Sequence, residues 1–206
     1  MKIELKNIHR SEKLSEETSA FSANLYINDI KAGIASNRGQ GGATMYISFN
    51  EKGRQLIQQA EAWCSAQPQE KFTYKGKEYS NPVTLENFID NLLAVHLQRK
   101  NLEKFKRKLG KDTQKGIAFG IPDQEYQILH FKMPIKGILE APNGYEVLRN
   151  TIVKRVVPQM KEGEKILNTN IPEKILKDVG LGEHDYVRPG EESREITPKK
   201  GHGKKL

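Results

Sequence analysis

Along the first fifty residues apolar side chains recur at every second position. Ile3, Leu5 and Ile8 alternate weakly and predict a short strand over residues 2–9. Phe21, Ala23, Leu25 and Ile27 alternate with Ser22, Asn24 and Tyr26, the period of a half-buried strand. Asn28-Asp29 follows, a pair that tolerates positive φ and suits a two-residue hairpin turn, and Ile30, Ala32, Ile34 and Ser36 form the return strand. The run from Ala43 to Phe49 predicts a further strand, rich in aromatic and β-branched residues. The opening of the chain therefore reads as an antiparallel meander.

The period then lengthens. Leu56, Ile57, Ala60 and Trp63 share one face of a helix over residues 51–66, with Asn50 as its cap and Pro68 beyond its end. Lys75-Gly76 marks a second small hairpin within residues 71–79. Thr84 caps a long helix over residues 85–109, and Val83 against Phe88 fits a hydrophobic staple. Leu85, Phe88, Ile89, Leu92 and His96 line its first half. Past Arg99 the apolar positions move around the cylinder to Leu102, Phe105 and Leu109, which predicts a bend or a helix leaving the main core.

Residues 116–120 and 125–135 read as two strands around the turn Ile121-Pro122-Asp123. A helix is predicted over residues 144–161, ended or kinked at Pro158, and a short one opens at Pro172 and closes at Gly180. The fold class is α+β: an antiparallel sheet with about three helices. A single domain spans residues 1–181. From Gly182 to Leu206 apolar residues are sparse, and a flexible, basic-ended tail is expected there.

Composition narrows the class of molecule. The 206 residues carry 34 Lys or Arg against 26 acids, a net charge of +8, with a mean hydropathy of −0.70. That balance favours an anionic partner. Cys64 is the lone cysteine, so a disulfide framework and a multi-thiolate zinc site are excluded, and a reducing cytosol fits best. No window has the apolar length of a membrane helix.

Charge is concentrated in one place. Between His96 and Lys115 eight Lys or Arg face only two acids. Arg99, Lys100, Lys104, Lys106, Arg107, Lys108, Lys111 and Lys115 are the candidate nucleic-acid-binding residues, because phosphate binding needs several cations on one side. Phe105 is the one aromatic among them. The structural alternative is a solvated helix end whose cations suit the negative pole of the helix dipole.

A second candidate is the loop Arg38-Gly39-Gln40-Gly41-Gly42-Ala43-Thr44. Glycines can turn several backbone N–H groups toward one anion, with Arg38 adding charge and Thr44 a hydroxyl, so Arg38, Gly39, Gly41, Gly42 and Thr44 form a possible phosphate-ligand site. The Gly-Lys-Ser/Thr ending of a nucleotide-binding loop is missing, and a strand rather than a helix follows. A hairpin connection is the alternative.

Other chemistry finds little support. His9, His96, His130, His184 and His202 lack metal-ligand spacing, no Gly-x-Ser-x-Gly elbow occurs, and Pro122-Asp123 has no Glu-x-Lys after it. The helix neighbours of Cys64 suggest a structural position. No catalytic residue, metal or cofactor is assigned, and an enzyme is unsupported. Thr197 to Leu206, with four lysines and no acid, is either a non-specific arm for nucleic acid or a solubilising tail.

The segment Leu14 to Asn28, continuing at Gly39-Gln40-Gly41-Gly42-Ala43-Thr44, resembles small proteins encoded in bacteriophage and prophage genomes. The resemblance implies a bacterial or viral setting in the cytoplasm of a bacterial host cell, where accessory proteins handle nucleic acid or counter host defence. The leading expectation is a non-enzymatic protein that binds DNA or RNA through its basic helix with little sequence preference. The alternative is a host-defence antagonist that sequesters a small phosphorylated nucleotide at the Arg38–Thr44 loop, or binds a host protein.

Overall fold

Asn28 and Asp29 both adopt positive φ, 49° and 64°, and close the tight turn between β2 (Ala20–Ile27) and β3 (Ile30–Asn37). The computed structural model describes residues 1–188, without the side chains of 70–72. β1 (Ile3–Ser11) and β4 (Met45–Ser48) complete a four-stranded antiparallel sheet in the order β1-β2-β3-β4. The α+β class follows directly: among the described residues two further small antiparallel sheets and five α-helices accompany this one.

Contacts divide the chain into two compact units, Met1–Leu97 and Gln98–Leu206. In the first, Leu25 and Ile27 of β2 are buried beneath Ile57, Ala60 and Cys64 of α1 (Glu51–Ser65) and Leu85, Ile89 and Leu93 of α2 (Leu85–Asp112). The period of two on the strand and of 3.6 on the helices thus meet in one core. Asn50 Oδ1 accepts the Gly53 N–H at 2.9 Å and fixes the start of α1. Thr84 does the same for α2 through the Asn87 N–H at 3.1 Å. β5 (Glu70–Tyr74) and β6 (Lys77–Asn81) form the second hairpin, turned at Lys75-Gly76 with φ of 48° and 75°.

The second unit has its own core. Ile117 and Phe119 of β7 (Gly116–Ile121) pack with Ile135 and Ile138 of α3 (Ile135–Glu140), Leu148 of α4 (Gly144–Thr151) and Ile175 of α5 (Glu173–Asp178). β7 lies between β8 (Glu125–His130) and β9 (Lys165–Ile166). The helix expected over 144–161 is α4 followed by a π-helical turn, Ile152–Val156, and a 3₁₀ turn, Val157–Gln159, which carries Pro158. The strand expected to reach Ile135 stops at His130, and residues from Ile135 coil into α3 after Pro134.

Gly182 does not begin a free tail. The Ile166 and Val187 amides each bond across the Ile166–Tyr186 bridge, to Asp185 and Ile166 carbonyls at 2.8 Å. Tyr186 is 1% exposed, with its hydroxyl on Glu173 at 2.8 Å. The remainder of the expected tail, from residue 189 and including the lysine arm from Thr197, lies outside the described residues.

Candidate nucleic-acid interface

The basic segment Arg99 to Lys111 is helical throughout, within the second half of α2. At 3.6 residues per turn, Lys100, Lys104, Arg107 and Lys111 follow the spacing i, i+4, i+7, i+11 and fall within about 60° of the circumference. They form a stripe roughly 16 Å long. Arg99 and Lys106 flank it on one side and Lys108 on the other. All of these side chains are exposed, and Lys115 is exposed in the turn that follows.

The opposite side of the helix explains this orientation. Leu102, Phe105 and Leu109 are half-buried. Phe105 meets Tyr126 of β8 edge to face, with ring centroids 5.3 Å apart. The Tyr126 hydroxyl donates to Asp112 at 2.7 Å, so one of the two acids of the segment is held by the neighbouring strand. Burial, then that bond to Asp112, pushes the Tyr126 hydroxyl up to about 12.

Glu103 is the other acid. Its carboxylate lies 3.8 Å from Arg99 and 3.9 Å from Lys100, and all three side chains are more than half exposed. Such pairs hold little energy in water. Lys104, Lys106, Arg107, Lys108, Lys111 and Lys115 have no carboxylate within 4.0 Å among the described residues. Lys108 sits 5.7 Å from the Tyr126 ring, at the margin of a cation–π contact. The stripe is thus positive, solvated and weakly compensated.

The glycine loop is built differently. Gly39 and Gly41 do adopt positive φ, 88° and 79°. Their amides, however, donate inward, Gly39 to Asn37 Oδ1 at 2.8 Å and Gly41 to the Thr18 hydroxyl at 3.3 Å. The Thr44 amide donates to Glu86 at 3.0 Å and its hydroxyl to Asp90 at 2.6 Å. Thr44 is 3% exposed, and carboxylates occupy the place an anion would take. The loop brings Arg38, Gly39, Gly41, Gly42 and Thr44 together as a hydrogen-bonded connection, with Thr44 turned onto α2.

Cys64 is fully buried, and burial followed by Glu61 raises its thiol, which suits a packing role. No cluster of three or more metal-ligating side chains occurs among the described residues. No described helix is long and apolar enough to cross a membrane. Sequence pattern assigns no role to Arg10 and none but a rejected metal role to His9, yet past a bulge with Asn7 at φ 52° both line one depression with Arg38. No family model, curated protein or solved structure matches the chain.

Proposed function

We propose that this protein binds nucleic acid through the cationic stripe of α2, by phosphate contacts and with little sequence preference. The observation that carries the reading is the set Lys104, Arg107, Lys108 and Lys111: exposed, grouped on one side of a helix, and with no carboxylate at ion-pair distance among the described residues. Three of the four are lysines, whose ammonium groups suit phosphate as point charges, and phosphate contacts carry no sequence information. Phe105, the one aromatic ring in the segment, is engaged with Tyr126 and so does not offer a stacking platform for bases. Both features support backbone recognition over base readout. The phage-like setting implied by the N-terminal segment is consistent with such a role.

The variant K104E/R107E/K108E/K111E tests it. Fluorescence anisotropy with a labelled 20-mer duplex and its single strand, at low salt, is expected to lose all binding in this variant. Undiminished binding would dispose of the reading.

A further inference from the structure

The first unit contains a second cationic feature, separate from α2. A broad, solvent-open depression of about 560 Å³ lies where the end of β1 meets the start of β2 and the loop after β3. Its lining contributes three groups able to carry positive charge, His9, Arg10 and Arg38, and no Asp or Glu. Leu14, 62% exposed, supplies most of the apolar side, with Phe21 contributing only the ring edge that the core leaves uncovered, and Ser11 and Ser22 supply hydroxyls. Arg10 bonds Glu12 at 3.3 Å, but Glu12 is 85% exposed and the guanidinium retains further donors. Arg38 has no carboxylate at ion-pair distance among the described residues.

The wall is already ordered. Asn37 Oδ1 accepts from Thr18 and Gly39, while its Nδ2 donates to the Gly42 carbonyl and to Thr44. The Gly39 carbonyl accepts the amides of Glu16, Glu17 and Thr18 at 2.9, 3.0 and 3.3 Å. Little chain has to be ordered when a ligand enters. The bulge between Lys6 and His9 shifts the register and sets His9 opposite Ser22 at the margin of the depression.

Bare phosphate leaves most of this open volume unoccupied, whereas the volume lies in the range of sites for small organic molecules. We propose that this depression binds a nucleoside 5′-monophosphate or a ligand of the same build. Its phosphate bridges Arg10 and Arg38, whose planar donors match phosphate oxygens, and its apolar body lies against Leu14 and the edge of Phe21. The site is independent of the stripe on α2, and neither reading requires the other.

The test is an amide-shift titration of the full chain by NMR with AMP, GMP, CMP and UMP, alongside adenosine and inorganic phosphate. At least one monophosphate should shift the amides of His9, Arg10, Ser22 and Gln40, with the free nucleoside and bare phosphate about tenfold weaker. R10Q/R38Q should lose that binding, and K104E/R107E/K108E/K111E should keep it. Ser22→Tyr places a bulky side chain at an exposed strand position on the lining, beside His9, and should weaken the same binding. The site is refuted if none of the four nucleotides binds, if shifts are confined to residues 99–115, or if binding is undiminished in S22Y or survives in folded R10Q/R38Q.

Discussion

The Thr44 hydroxyl donates to Asp90 at 2.6 Å, and this bond decides what the glycine loop can do. It turns the most ligand-like hydroxyl of the loop onto an acid of α2. Burial holds the Asp90 carboxyl above its ordinary range, against the opposing effect of the Thr44 bond and with help from Glu86. A raised folded-state pKa means that the folded chain holds the proton more tightly than the unfolded chain. Its stabilising contribution is full below the unfolded value, about 4, and is lost as pH rises through the folded one. Asp90 is exposed over part of its surface, so the effect is small. Asp90→Asn should therefore gain stability relative to the unmodified protein between pH 4 and pH 7. Urea midpoints of both proteins at the two pH values check this, and a relative loss by the variant would contradict it.

Gly53 lies in the first turn of α1, where the helix backbone meets β3. A Cβ there would overlap the Ala32 carbonyl oxygen. Alanine ordinarily improves a helix by about 1 kcal/mol over glycine. Here the sign should reverse, with Gly53→Ala lowering the melting temperature, because backbone rather than a movable side chain occupies the space. An unchanged or higher melting temperature would show that α1 and β3 can separate cheaply.

Tyr46 and Tyr126 are both pushed up to about 12, each by burial first and then by a carboxylate that accepts its hydroxyl, Glu61 and Asp112 respectively. Alkaline titration of tyrosine absorbance should show a late component near pH 12, reduced in Y46F and in Y126F. A raised value also means that the folded chain favours the neutral phenol, so the linked stability is full below the ordinary phenol value, about 10, and is lost as pH passes the folded value. Y126F should cost about 1 kcal/mol at neutral pH, measured by urea unfolding.

Asn168 is 1% exposed and ties β7 to the segment after β9. Its Oδ1 accepts the Ala118 amide at 2.7 Å, and its Nδ2 donates to the Gly116 carbonyl and to Asn170, both at 2.9 Å. Asn168→Leu strands a buried backbone donor and acceptor, and should cost about 2–4 kcal/mol in urea unfolding. A cost under about 0.5 kcal/mol would mean that water reaches both groups.

Much of the first unit was legible because its signals are local. Asn28-Asp29 needs positive φ, Asn50 and Thr84 are capping side chains, and each occurs where the structure uses it. The second unit was harder. α3 is six residues long, too short for a helical period to stand out, and the apolar run before it reads equally as strand. Tyr186 sits among Gly, Pro and charged residues, so nothing in its neighbourhood announces that a lone ring is buried. The cationic stripe was visible as a spacing, but the engagement of Phe105 and Asp112 by Tyr126 comes from a strand and was not. The depression at Arg10 and Arg38 joins distant parts of the chain and leaves no linear trace.

The salt dependence of nucleic-acid affinity tests the central claim most directly. Four phosphate contacts along Lys104, Arg107, Lys108 and Lys111 predict that log K falls against log salt with a slope of about −3 to −4 on duplex DNA, at roughly −0.9 per contact. The same slope should collapse toward zero in K104E/R107E/K108E/K111E. A flat slope for the unmodified protein, or an equally steep one in the variant, would contradict the assignment of the stripe as the binding surface.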